Sequence, residues 1–215
     1  GLYSETHTPR DAHSNRVILY FHGGGFAVGS PRSHRNLVSR LAKAASMKAV
    51  AIDYRKSPEH PFPAALDDTV KAYRHLLDTG IKPGNIVLAG DSAGGNLVLT
   101  TLLRLKQEQL PMPAAACAIS PWCDVTLTSP SLAANAGDDL ILTPLLLQQF
   151  RSIYVNDGQV ANPLVSPVFG DLAGLPPLLV QVGSKEVLLD DARAIAQKAA
   201  QDGVHLVDAG DLHRG

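Results

Sequence analysis

The chain lacks most of what would mark a specialised surface. It carries 2 cysteines in 215 residues, Cys117 and Cys123; two thiols do not make the disulfide framework of a small secreted domain, and they are read as buried free thiols. Lys and Arg total 19 against 20 Asp and Glu, so there is no basic stripe to meet nucleic acid or an anionic membrane, and no acidic tail. No apolar run reaches the roughly 18 residues of a membrane span, and the opening GLYSETHTPR has no apolar core of the signal-peptide kind. These absences point to a cytoplasmic protein whose partner is a neutral small molecule. The histidines show no H-E-x-x-H spacing, so neither a metal nor another cofactor is expected.

What is present is an ordinary core. Hydrophobic residues make up 45% of the chain, enough for one well-buried domain over residues 1–215. Short β-rich runs, VILYF (17–21), KAVAID (48–53), NIVLAG (85–90), AAACAIS (114–120), PLLVQV (177–182) and VHLVD (204–208), alternate with longer segments. Those segments, Arg35 to Ala45, Ala64 to Asp78, Ala93 to Gln109 and Asp190 to Gln201, carry apolar residues at helical spacing, with Gly80 and Gly203 just past two of them. Apolar strands joined by crossover helices predict an α/β fold with a mostly parallel sheet and helices on both faces, where function gathers at the carboxyl ends of the strands. Residues 123–176 break the rhythm with prolines, turn residues and one helix near Leu145 to Tyr154, and read as an excursion over the sheet.

Two glycine clusters stand at strand ends. GDSAG (90–94) fits G-x-S-x-G, a pattern that chance supplies in about one chain of this length in twenty. Its context is more telling: it closes a predicted strand and opens a predicted helix, where a strained turn exposes a serine oxygen above the sheet. Ser92 is therefore a candidate nucleophile, with a passive serine in a tight crossover as the alternative. The segment has neither the lysine of a P-loop nor a good G-x-G-x-x-G spacing. FHGGGF (21–26) follows the VILYF strand, and consecutive glycines let backbone N–H groups approach a ligand. Gly23 and Gly24, joined by the N–H of Ala93, form a candidate oxyanion hole. His22 reads as a residue that holds this loop rather than as a base.

With HGGGF and GDSAGG both in place, the chain resembles the hormone-sensitive-lipase-like group of α/β-hydrolase carboxylesterases, the bacterial esterases especially. DYRKSPEHPFPAALDD (53–68) is similar to that family's Y-R-x-x-P-E-x-x-F-P-A block, SPWCDVT (120–126) to its S-P-x-x-D-x-T turn, and NPLVSPVFGDLAGLPPLLVQVG (162–183) to its approach to the acid strand. The resemblance implies a serine, acid, histidine order along the chain. It places Glu186, in GSKEVLLDDA, where the family usually has the first residue of D-P-L-x-D, and His213, in DAGDLHRG, on the histidine loop after the last strand. Asp190 and Asp191 are rivals for the acid, favoured instead as cap and first turn of the following helix. His205 falls inside the last predicted strand, facing a packed layer.

The resemblance implies short acyl esters as substrates. Phe26, Trp122 and Leu142, the last within LILTPLLLQQF (140–150), are candidate pocket residues and equally candidates for plain core. Amide, carbamate or deacetylation chemistry would use the same triad. A ligand-binding protein on this scaffold, as in the plant gibberellin receptors that lack the histidine, is the alternative from another class. The resemblance leaves room for a homodimer through an edge strand or the last helix. Against the family's usual length, both ends look trimmed, with part of the cap missing at the N-terminus.

Overall fold

The computed structural model describes residues 2–207. Among these, six strands form one sheet: β1 (Ser4–His7), β2 (His13–Phe21), β3 (Met47–Ile52), β4 (Ile86–Asp91), β5 (Ala115–Ile119) and β6 (Leu178–Gln181). Their order across the sheet is β1-β3-β2-β4-β5-β6, with β1 antiparallel to β3 and every other pairing parallel. The helices are α1 (Arg35–Ala45), α2 (Ala64–Asp78), α3 (Ala93–Gln107), α4 (Ser131–Ala134), α5 (Pro144–Tyr154) and α6 (Leu189–Gln201). No helix among the described residues is long and apolar enough to cross a membrane.

Period-two alternation decides which side each strand residue faces. On β2, Val17, Leu19 and Phe21 join the large core layer under α2, α3 and α6, while Ile18 and Tyr20 join the small one under α1 with Val38 and Ala42. Helix α3 is buried along nearly its whole length, from Ala93 to Leu105. Each fully buried Leu or Val there contributes about 1.5–3 kcal/mol. At such depth the polar side chains it buries, Asn96, Thr100 and Thr101, are all hydrogen-bonded within the protein, and the direction of the helix sets where the residue before it points.

The predicted helices agree with the structure to within two residues at each end, and Gly80 and Gly203 follow α2 and α6 at positive φ. Three differences stand out. Strand β1, SETH, is an antiparallel edge strand with no apolar alternation to announce it. The predicted strand over 204–208 contributes, among the described residues, one parallel bridge from Leu206 to Leu178, so it extends the open edge of β6. His205 is exposed there, because its ring stands on the outer side while its carbonyl accepts the Leu178 N–H at 2.9 Å; the expected packed face is not what it meets. Cys117 and Cys123 are free thiols, the first half-buried and the second buried.

Candidate active site

The carboxyl ends of β2, β4 and β5 and the loop after β6 open into one cavity of about 740 Å³, lined among others by Gly23, Gly24, Gly25, Ser92 and Glu186. The turn at the end of β4 passes directly from strand to helix through one residue at positive φ. Ser92 has φ 53° and ψ −120°, a costly conformation for a residue with a side chain, sustained by its surroundings. Its N–H donates to the Ile119 carbonyl at 2.8 Å, and its carbonyl accepts from Asn96 and Trp122 N–H groups at 3.0 and 3.1 Å. The backbone is thus pinned on both sides. Two glycines let α3 pass this close to the sheet: a Cβ on Gly94 would lie 2.0 Å from the Phe21 carbonyl oxygen, and one on Gly90 would lie 2.5 Å from the Gly94 oxygen.

The glycine loop after β2 is held from three sides. Tyr54 donates its hydroxyl to the His22 carbonyl at 2.7 Å, and its ring stacks on His22 with centroids 4.3 Å apart. His22 is fully buried, and its Nδ1 lies 2.7 Å from the Gly23 carbonyl, so that nitrogen carries the proton. Burial pushes this imidazole down to about 4. Asp53 lies 3.7 Å away but is paired with Lys56, which repels a proton on the ring, so His22 is neutral and not an ion-pair partner. Its expected structural role in the loop is what the geometry supports.

Gly23 departs from expectation. Its N–H donates to Asp91 Oδ1 at 3.0 Å and is not free for a ligand. Among the described residues, the N–H groups of Gly24, Gly25 and Ala93 have no protein acceptor, and both glycines line the cavity. The free pair in the loop is therefore Gly24 and Gly25, one residue further along than Gly23 and Gly24.

Glu186 follows β6 and lines the same cavity. Its Oε1 accepts from the Gly183 N–H at 2.6 Å and from the Ser120 hydroxyl at 2.9 Å; Oε2 has no partner among the described residues. Asp190 and Asp191 do lie in the first turn of α6, but neither caps it. Asp191 is buried and accepts N–H groups of Cys123 and Asp124 at 2.8 and 2.7 Å as well as the Ser129 hydroxyl. Burial pushes its carboxyl up to about 7, against the pull of those donors. Asp190 accepts the Ser131 N–H at 2.9 Å. Both carboxylates face the excursion and bind its backbone to α6, which removes them as rivals facing the cavity. Asn96 does the same from α3, donating to the carbonyls of Trp122 and Val165 at 2.7 Å.

Of the candidate pocket residues, Leu142 lines the cavity. Phe26 and Trp122 do not: both are fully buried, with Phe26 stacked on Tyr154 at 3.7 Å and tilted against Trp122. They are core behind the loop. The apolar wall is α5 and the segment before it, with Phe150 and Leu147 inside and Leu140 and Ile141 at the mouth, 99% and 83% exposed. His213 lies outside the described residues. Asp91 and His34, which face each other at 3.2 Å beside the cavity, escaped the sequence reading; Asp91 was only the unspecified position of G-x-S-x-G.

A parallel sheet whose central strand ends in a serine at positive φ, opening a buried helix beside a glycine loop and a carboxylate, is the architecture of the α/β hydrolases. The chain belongs to the alpha/beta hydrolase fold family, whose pattern covers residues 18–210, and within it to the hormone-sensitive-lipase-like group of esterases. It is 44% identical to the esterase EstE5, whose crystal structure was determined after soaking with p-nitrophenyl butyrate; the TM-score is 0.93 over 96% of this chain and 70% of that one. An esterase of the bacterial hormone-sensitive lipase family gives 42% identity and a TM-score of 0.91, over 96% and 73%. Among curated proteins, an acetyl-hydrolase of Streptomyces hygroscopicus is 48% identical over 87% of this chain, and an esterase of Acinetobacter venetianus 46% over 90%. The chain spans 63% and 64% of the lengths of these two relatives.

Proposed function

We propose that this chain carries the catalytic centre of a serine carboxylesterase acting on short acyl esters. The observation that carries the reading is the strained Ser92, set in one cavity with the unengaged N–H groups of Gly24 and Gly25. In this reading the Ser92 hydroxyl attacks the ester carbonyl, and His213 takes the hydroxyl proton. The carbonyl oxygen becomes an anion opposite the amides of Gly24, Gly25 and Ala93, which are preorganised to receive it. Collapse expels the alcohol, protonated by His213, and leaves an acyl-serine. Water then repeats the sequence, releasing the acid and restoring the serine. Glu186 orients the imidazole; its Oε1 is occupied by Ser120 and Gly183, which leaves Oε2 for the histidine. Leu142, Leu147 and Phe150 give the acyl or alcohol group an apolar wall. The names of the relatives, esterase and acetyl-hydrolase, support an ester-cleaving activity and a small acyl group.

The test is turnover of p-nitrophenyl acetate and butyrate by wild type, Ser92→Ala and His213→Ala, each checked for folding. Loss of activity in both variants, with a single fluorophosphonate adduct present in wild type and absent in Ser92→Ala, is the expected result. A folded wild type that cleaves neither ester and takes up no probe refutes the reading and favours a ligand-binding protein on the same scaffold.

A further inference from the structure

Asp91 joins three elements at one carboxylate. Its Oδ1 accepts the Tyr20 hydroxyl of β2 at 2.7 Å and the Gly23 N–H of the glycine loop at 3.0 Å. Its Oδ2 accepts from Nε2 of His34, the residue before α1, at 3.2 Å. The other ring nitrogen of His34 lies 2.9 Å from the Ser33 hydroxyl and 3.3 Å from the Ser30 carbonyl, which fixes the plane of the imidazole. His34 thus lines the cavity wall but spends both nitrogens on the protein, and Nε2 is aimed at Asp91 rather than at a ligand. The hydrogen bond to Asp91 holds His34 above its ordinary titration range. Burial raises the Asp91 carboxyl, but the hydrogen bond and charge of His34, with Tyr20 and Gly23, bring it below the usual carboxylate range.

We propose that His34 is a positioning residue for the glycine loop: acting through Asp91, it keeps the Gly23 N–H engaged and so keeps the next two amides turned into the cavity. The inference rests on the esterase reading only for its effect on rate. Its physical basis is local. Asp91 has 22% of its side chain exposed, so a carboxylate without the imidazole on Oδ2 can rotate toward solvent about the Tyr20 contact, and Gly23 then loses its acceptor. The Tyr20 hydroxyl shares Oδ1 with the Gly23 N–H, so the ring at position 34 is the side chain that holds Oδ2 and with it the plane in which Oδ1 faces Gly23. Gly23, Gly24 and Gly25 have no side chains of their own to hold the peptides between them, so a displaced Gly23 peptide turns its neighbours.

The experiment compares His34→Leu, which removes the donor, with His34→Gln, whose amide nitrogen reaches the position of Nε2. Backbone amide exchange is followed by NMR on the full chain. Gly23 should exchange at least about tenfold faster in His34→Leu, with α3 amides such as Leu97 unchanged and His34→Gln within about threefold of wild type. In parallel, kcat for p-nitrophenyl acetate should fall about tenfold in His34→Leu with KM within about twofold, and recover in His34→Gln, since the amides are displaced rather than lost. If His34→Leu does not fold, His34→Asn, polar but too short to reach Asp91, takes its place. Unchanged Gly23 exchange, or equal effects of Leu and Gln at position 34, overturns the proposal. A wild type inactive on esters refutes the esterase reading alone, and the exchange comparison still decides this one.

Discussion

Acid should destabilise this protein through His22 in particular. Its imidazole is fully buried between Tyr54 and the glycine loop, and its folded-state value lies near 4 against an ordinary 6.5. The sign follows from proton counting: below 6.5 the unfolded chain binds a proton at His22 and the folded chain does not, so stability present in full above 6.5 is lost as the pH falls toward 4. Each unit of separation is worth about 1.4 kcal/mol, so lowering the pH from about 7 to about 4.5 should cost the folded state about 2.5 kcal/mol through this one group. His22→Asn isolates the effect, because the Asn side-chain nitrogen replaces Nδ1 as donor to the Gly23 carbonyl and does not titrate. The variant loses the stack on Tyr54 and is less stable at about pH 7, a deficit that narrows as the pH falls, so the quantity of interest is the difference in slope. Urea unfolding at a series of pH values from about 7 to about 4.5 measures it, with all carboxylates common to both proteins. Parallel stability–pH curves for wild type and His22→Asn would refute the reasoning and mean that the buried ring finds a proton-accepting partner in the folded state.

Three further outcomes follow from geometry. Gly25→Ala should lower esterase turnover by about tenfold or more and lower the Tm, because position 25 has φ 58° and a Cβ there would lie 2.3 Å from the Phe150 ring; turnover within twofold of wild type would contradict it. Asp191→Asn keeps an oxygen for the two backbone donors and offers its NH₂ to the Ser129 hydroxyl, which accepts as readily as it donates, so it should cost no more than about 1 kcal/mol in urea unfolding at about pH 7, whereas Asp191→Ala, which leaves both N–H groups unpaired, should cost about 2–3 kcal/mol. Tyr154→Phe should be neutral or stabilising by up to about 1 kcal/mol in the same assay, since its buried hydroxyl has no partner among the described residues.

Much of the fold was legible because its signals are local. The helical spacing from Arg35 to Ala45 and from Ala64 to Asp78 needs no tertiary information, and neither do the apolar runs of β2 to β6. Strand β1 was not legible: four residues at a sheet edge, with half of them exposed, take their conformation from pairing with β3. In the site, G-x-S-x-G marked the strand-to-helix turn at which Ser92 stands, and Glu186 lines the same cavity. Phe26 and Trp122 were ambiguous for a physical reason, since a large aromatic beside a glycine loop has the same chemistry whether it faces a ligand or lies beneath the loop. The engagement of the Gly23 N–H was not legible because the sequence does not say which of three consecutive amides a distant carboxylate will claim. That carboxylate, Asp91, comes from another strand, and only the parallel register of β2 and β4 brings the two together.

The adjacency of Asp91 and Ser92 bears on how the site tolerates motion. The glycine loop hangs from the residue immediately before the serine, while the backbone of that serine is pinned to Ile119 and Trp122. A shift of the end of β4 therefore carries the serine and the loop in the same direction, as a common displacement. The placement of the loop relative to Ser92 is thereby set within one short stretch of chain, Asp91–Ser92, rather than across the width of the sheet.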